Sequence, residues 1–178
     1  MVYVFLANGF EEIEAIAVID ILRRAEIETV TVGIGGIEIS SARNIKVTAD
    51  IPDTQFNINT DFKAVILPGG GIGTENLTKS KLVDIVLDKA VKNNKYICAI
   101  CAAPSILGKK GLLDGKEAIC FKGFEKHLKG AKISHENVIA DGKIITAKSA
   151  AWAIEFALKI VENLKSKESS DKIRKDIF

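Results

Sequence analysis

Short uninterrupted apolar runs alternate along this chain with longer stretches in which apolar residues recur every three or four positions. The first pattern predicts strands buried on both faces, and the second predicts helices with one face on a core. Val2 to Ala7 reads as a strand, Asn8-Gly9 as a turn, and Ile13, Ile16, Ala17, Ile21 and Leu22 fall at helical spacing up to Arg24. Thr29 to Ile34 predicts the next strand. Gly33, Gly35 and Gly36 then punctuate a hairpin-like excursion through Ile37–Ile39 and Ile45–Val47, followed by a looser stretch from Ile51 to Thr60. Ala64 to Leu67 is a further buried strand, and Pro68-Gly69-Gly70-Gly71 stops it. Leu82, Ile85, Val86, Lys89 and Ala90 mark a helix, and Ile97 to Ile100 returns to the strand pattern. Shorter strands are expected near Ala118–Phe121, Val138–Ala140 and Ile144–Thr146, and Ala150 to Leu164 reads as a long amphipathic helix. The tail from Ser166 is charged and Ser-rich. There Ile173, Ile177 and Phe178 either dock as a last helical turn or belong to a frayed end, so 166–178 is expected to be loosely docked at most.

Parallel strands need crossover connections, which are usually helices, so this alternation predicts an α/β fold: a doubly wound, mostly parallel sheet with helices on both faces. Residues 1–178 are expected to form a single domain, a size that can bury a full core. In such sheets ligands collect outside the carboxyl ends of the strands. That rule brings three segments together: Asn8-Gly9 with the acidic start of the first helix, Pro68-Gly69-Gly70-Gly71, and the turn at Cys101.

Charge and cysteine content narrow the partners. The formal net charge is +2, with 25 basic and 23 acidic residues interspersed, which argues against a nucleic-acid surface and for small neutral or mildly charged ligands. The apolar opening has no basic leader and is too short for a membrane span, so no membrane partner is expected. Three cysteines, an odd number, argue against a disulfide framework and for free thiols in a reducing cytoplasm.

Cys101 stands where an apolar strand passes into a helix opened by Pro104, a residue favoured in the first helical turn. At such a junction unpaired backbone N–H groups and the helix dipole favour the thiolate, so a lowered pKa is expected; the alternative is a buried, inert cysteine. Glu11, Glu12 and Glu14 open the first helix, where carboxylates complement the dipole. Glu14 lies between Ile13 and Ala15, one turn in, where it can instead point into the crevice. A carboxyl desolvated there beside a thiolate keeps its proton and can relay it. The glycine loop at 69–73 lacks the Lys-Ser/Thr ending of a phosphate loop and the spacing of a dinucleotide fingerprint. It is either a plain turn or, with the amide of Ala102, an oxyanion hole. Cys98 and Cys101 spell C-x-x-C, but the first cysteine is inside the strand, which disfavours a dithiol pair. A zinc site using Cys98, Cys101, Cys120 and His127 or His135 has only one close ligand pair. No metal is expected.

Three segments in the same order, Gly9-Phe10-Glu11-Glu12-Ile13-Glu14, Leu67-Pro68-Gly69-Gly70 and Ala99-Ile100-Cys101-Ala102-Ala103-Pro104, resemble the signature segments of the ThiJ/PfpI superfamily, closest to its DJ-one branch. The similarity extends to Asp20–Ala25 and Glu155–Val161. The resemblance implies a flavodoxin-like, class I glutamine amidotransferase-like sandwich, a homodimer, and a site that needs no cofactor. It implies Cys101 as nucleophile at a strained elbow, Glu14 as its protonated partner, the amides of Gly70 and Ala102 as donors, and Gly71, Phe121 and Ser149 lining the pocket. The activities it implies are glutathione-independent conversion of small dicarbonyls (glyoxalase) or repair of early glycation adducts on proteins (deglycase). The alternative is non-enzymatic: an oxidative-stress sensor or holdase chaperone acting through oxidation of Cys101. A nucleotide- or flavin-binding domain of similar fold rests on architecture alone. Three departures stand out. Ala102 occupies the position of the protease-like branch's histidine, which disfavours peptidase activity. Phe121 replaces a histidine of the animal proteins, and Lys148-Ser149-Ala150-Ala151 replaces an arginine followed by Gly-Pro-Gly.

Overall fold

The computed structural model describes residues 1–177. Its central sheet has seven strands in the order β10-β11-β7-β6-β1-β2-β5. These are β1 (Val2–Ala7), β2 (Thr29–Ile34), β5 (Ile51–Pro52), β6 (Ala64–Leu67), β7 (Tyr96–Ile100), β10 (Val138–Asp141) and β11 (Ile144–Ala147). All neighbours pair in parallel except β10 with β11. Two small ribbons lie outside it: the antiparallel pair β3 (Glu38–Ser40) and β4 (Lys46–Thr48), and the parallel pair β8 (Glu117–Ala118) and β9 (Lys132–Ile133).

Strand periodicity divides the core between two faces. Along β1, Val2, Val4 and Leu6 join one apolar cluster with α1 (Glu12–Arg24) and α5 (Ala153–Leu164), while Tyr3, Phe5 and Ala7 join the other. On that second face lie α2 (Gly71–Lys79), α3 (Lys81–Lys92) and α4 (Pro104–Lys109). All six β1 side chains are buried, which is why the run carries no polar alternation.

Connections from β1 run outward in both directions, to β2 on one side and, from β6, to β7 on the other. The strand order therefore reverses between β1 and β6, and the loops after their carboxyl ends diverge to leave a crevice. The expected fold class is the observed one.

Several local readings are corrected. The glycine stretch is not all loop: α2 begins at Gly71, and Gly73 stays small because a Cβ there would sit 2.7 Å from the Phe10 backbone. The segment read as a strand to Phe121 ends at Ala118, and β9 was not foreseen. The tail is docked: α6 (Lys167–Ile177) buries Ser170 and Ile173 against α5, and Ser170 Oγ donates to Leu158 O at 2.9 Å. The expectation for Phe178 lies outside the described residues.

Candidate active site

β7 delivers Cys101 into the crevice with φ 63°, left-handed backbone that costs a non-glycine residue roughly 1–3 kcal/mol. Surrounding bonds hold it there. Cys101 N–H donates to Ala147 O at 2.9 Å, and Cys101 O accepts from Phe121 N–H at 2.7 Å. Ala102 and Ala103 are buried behind it, and Pro104 opens α4.

Glu14 comes from the first turn of α1. Glu11 caps that helix by accepting from Glu14 N–H at 2.9 Å, which leaves the Glu14 side chain free to turn inward. Glu14 is 1% exposed. Its Oε2 accepts from Gly69 N–H at 2.8 Å, and its Oε1 is buried with no hydrogen bond to it. Gly69 brings the two candidate groups together: the point where its missing Cβ would sit is 2.5 Å from Glu14 Oε2 and 2.7 Å from Cys101 Cβ.

Burial holds the Glu14 carboxyl up at about 7, against the opposing pull of the Cys101 thiol and the Gly69 N–H. The expectation of a lowered thiol pKa is corrected. Burial first, then the charge of Glu14, pushes Cys101 up to about 12, while the N–H groups of Gly70 and Ala102 pull it down. With α4 only six residues long, its dipole does not overcome these effects. The carboxyl therefore gives up its proton near 7 and the thiol near 12, so between them the pair holds one proton, on the sulfur beside the Glu14 carboxylate. A thiolate forms by handing its proton to the neighbouring carboxylate.

Gly70, at φ 91°, and Ala102 both present N–H groups to the sulfur. Gly71 is exposed at the start of α2, Phe121 is 45% exposed, and Ser149 is half-buried beyond β11 in extended backbone. Lys148 is exposed, with its N–H donating to Asn137 O. Cys98 and Cys120 are buried in the two core clusters, and His127 lies in a short 3-10 turn beside Phe124. Among the described residues no three His, Cys, Asp or Glu side chains are grouped to hold a metal ion.

The sequence reading missed Gly69 as the donor to Glu14, Ala147 O as the anchor of the elbow, and the work of Glu12. Glu12 Oε1 accepts from Ser41 Oγ and Arg43 N–H, tying the β3–β4 ribbon to α1. A glycine directly before a signature glycine was the available signal for the first. The other two are backbone or long-range contacts with no local trace.

Residues 1–163 match the model of the DJ-1/PfpI family. The chain belongs to that family. Among relatives within it, Protein dj-1beta of Drosophila melanogaster is 35% identical over 98% of this chain and 95% of that protein. The Caenorhabditis elegans protein named Glutathione-independent glyoxalase DJR-1.2 is 30% identical over 94% of this chain and 89% of its own length. A solved structure of oxidized Toxoplasma gondii DJ-1 superposes with a TM-score of 0.95, at 33% identity over 99% of this chain and 96% of that one. DJ-1/PfpI membership thus spans the strand, elbow and helix segments that build the crevice.

Proposed function

We propose that this protein converts small dicarbonyls to hydroxy acids without glutathione or any cofactor, with Cys101 as nucleophile and Glu14 as proton relay. The observation that carries this reading is the buried carboxyl and thiol converging on Gly69, with a carboxyl raised to about 7 that can take up the thiol proton. The name of the Caenorhabditis relative supports the same chemistry.

For methylglyoxal the steps balance. The Cys101 sulfur adds to the aldehyde carbon while its proton passes by way of the Glu14 carboxylate to the carbonyl oxygen, which the N–H groups of Gly70 and Ala102 face; a hemithioacetal results. Glu14 carboxylate then removes the proton on that carbon and returns it to the neighbouring ketone carbon through an enediol. A thioester of the hydroxy acid remains, and water cleaves it to release the acid and restore the thiol. Hydrogen moves between two carbons of one substrate, so no external oxidant or reductant is needed. Glycated amines would enter by a related hemiaminal.

The test is methylglyoxal turnover by wild type, Cys101→Ser and Glu14→Gln. Turnover lost in the first and cut about 10²–10⁴-fold in the second supports the reading; wild-type rates equal to those of Cys101→Ser refute it. A second reading rests on the burial contrast among the cysteines. Cys101 is the partly exposed thiol and Cys98 and Cys120 are buried, so oxidation to the sulfinic acid would fall on Cys101 in a non-enzymatic stress sensor or holdase. A homodimer belongs to the same proposal, because Ile13, Ile16 and Ile45 are each more than 40% exposed and offer apolar surface for a second copy to cover. Sedimentation of Ile16→Arg as monomer and wild type as dimer supports that arrangement. A cytoplasmic setting, proposed from the free thiols, fits either activity.

A further inference from the structure

Residues 116–121 run beside β10 and β11 with the N–H groups of alternate residues turned to one side, as in a strand. Glu117 N–H donates to Asp141 Oδ2 at 2.9 Å, Ile119 N–H to Thr146 Oγ1 at 3.0 Å, and Phe121 N–H to Cys101 O at 2.7 Å. On the opposite edge Lys116 O and Ala118 O accept from Lys132 and Ser134 N–H. We propose that Thr146 is a positioning residue: through this segment its hydroxyl holds the Cys101 carbonyl in place and so aims the Ala102 N–H at the reacting oxygen. The proposal rests on the reading of Cys101 as the nucleophile.

β11 reads Ile-Ile-Thr-Ala and is buried throughout, with Thr146 at 0% exposure. Ile145 and Ala147 belong to the cluster packed with α1 and α5, so strand alternation turns Thr146 to the other face, toward Ile119. Valine would fill the same space, whereas a buried hydroxyl costs free energy unless a hydrogen bond offsets it. The bond to Ile119 is what threonine supplies here and valine does not.

The next residue, Ala147, accepts from Cys101 N–H at 2.9 Å. β11 therefore grips the elbow twice, directly at Cys101 N–H and by way of Ile119, Cys120 and Phe121 at Cys101 O. In that ring of hydrogen bonds the Thr146 hydroxyl is the side-chain member; the other groups are backbone. Cys101 O and Ala102 N–H are opposite ends of one planar peptide unit. Fixing the oxygen with Phe121 thus fixes the direction of the N–H that faces the sulfur, and holds Cys101 in left-handed backbone at φ 63°. Negative charge develops on the substrate oxygen only as the sulfur adds, so a misaimed donor lowers kcat and leaves KM nearly unchanged.

The test compares wild type with Thr146→Val and Thr146→Ser by methylglyoxal kinetics and by amide hydrogen exchange. In the valine variant kcat should fall about 10–100-fold, short of the roughly 10²–10³-fold for losing such a donor outright, with KM within about two-fold. Its Phe121 N–H should exchange at least about ten-fold faster. Serine keeps the hydroxyl and should restore both readouts to within about three-fold of wild type. Asp141→Ala frees the far end of the same segment and controls for lost stability, so its kcat and Phe121 exchange should stay within about two-fold of wild type. An equal loss of kcat in Asp141→Ala or Thr146→Ser, or unchanged Phe121 exchange in Thr146→Val, would overturn the proposal. Should the valine variant not fold, the native chain decides: Ile119, Phe121 and Cys101 N–H must open as one unit, and unequal protection overturns the proposal. Exchange needs no dicarbonyl, so a wild type without turnover would sink the proposed reaction while the exchange measurement still judges Thr146.

Discussion

Replacing Glu14 by glutamine separates what the buried carboxyl does for chemistry from what it does to stability. Glutamine keeps an oxygen to accept the Gly69 N–H but has no proton to lose. In the native chain the carboxyl is held at about 7, above the ordinary 4.5, so between those values the folded state keeps a proton that the unfolded state has released. Stability must then fall as pH rises across that window and level off above it. At 1.36 kcal/mol per pKa unit, the loss is roughly 3 kcal/mol for a carboxyl this well buried. Cys101, raised from 9.0 to about 12, stays neutral in the folded state, and the small slope from its ionisation in the unfolded state begins only at the alkaline end, in wild type and variant alike. Urea unfolding of both proteins, from about pH 4.5 to about pH 8.5, reads the difference directly. The variant should gain on wild type by up to roughly 3 kcal/mol on going from the acid end to the alkaline end, even as its turnover falls. Two stability curves that run parallel across the window would refute the assignment of a raised carboxyl, and with it the proton relay.

The same pair predicts that wild-type kcat/KM rises with pH through an inflection near 7, where the first proton leaves, and that this inflection disappears in Glu14→Gln. Gly69→Ala should destabilise the fold by about 1–3 kcal/mol and depress turnover, since the added methyl meets Glu14 Oε2, Cys101 Cβ and Ile100 O within 2.9 Å; urea midpoints and rates check it. Mass spectrometry after mild peroxide should find sulfinic acid on Cys101 before Cys98 or Cys120, and equal labelling of all three would contradict their unequal burial. Ile173→Ala should cost about 2–4 kcal/mol if α6 is part of the cooperative core, and a loss below about 0.5 kcal/mol would mean that the helix docks weakly.

Of the fold, the buried strands were legible because a strand covered on both faces must be apolar throughout, and β1, β6 and β7 are. Helix α2 was not, because close packing overrides propensity in its first turn: Gly71 and Gly73 read as loop, yet Gly73 is small to let the helix approach the Phe10 backbone. Helix α6 was equally hidden. Its residues are mostly charged, and only Ser170 and Ile173 are buried against the rest of the chain.

By itself the sequence determined the order of strands and helices, the cysteine after β7, the acidic start of α1 and the family motifs, since each is written in neighbouring residues. Only the tertiary structure decided the sign of the Cys101 shift. Residues 14, 69 and 101 lie far apart along the chain, and it is their burial against one another that lifts both pKa values and leaves a single proton between them. Local sequence sets what a helix terminus offers a thiol; the desolvation and the opposing charge come from other elements, and here they are the larger effect.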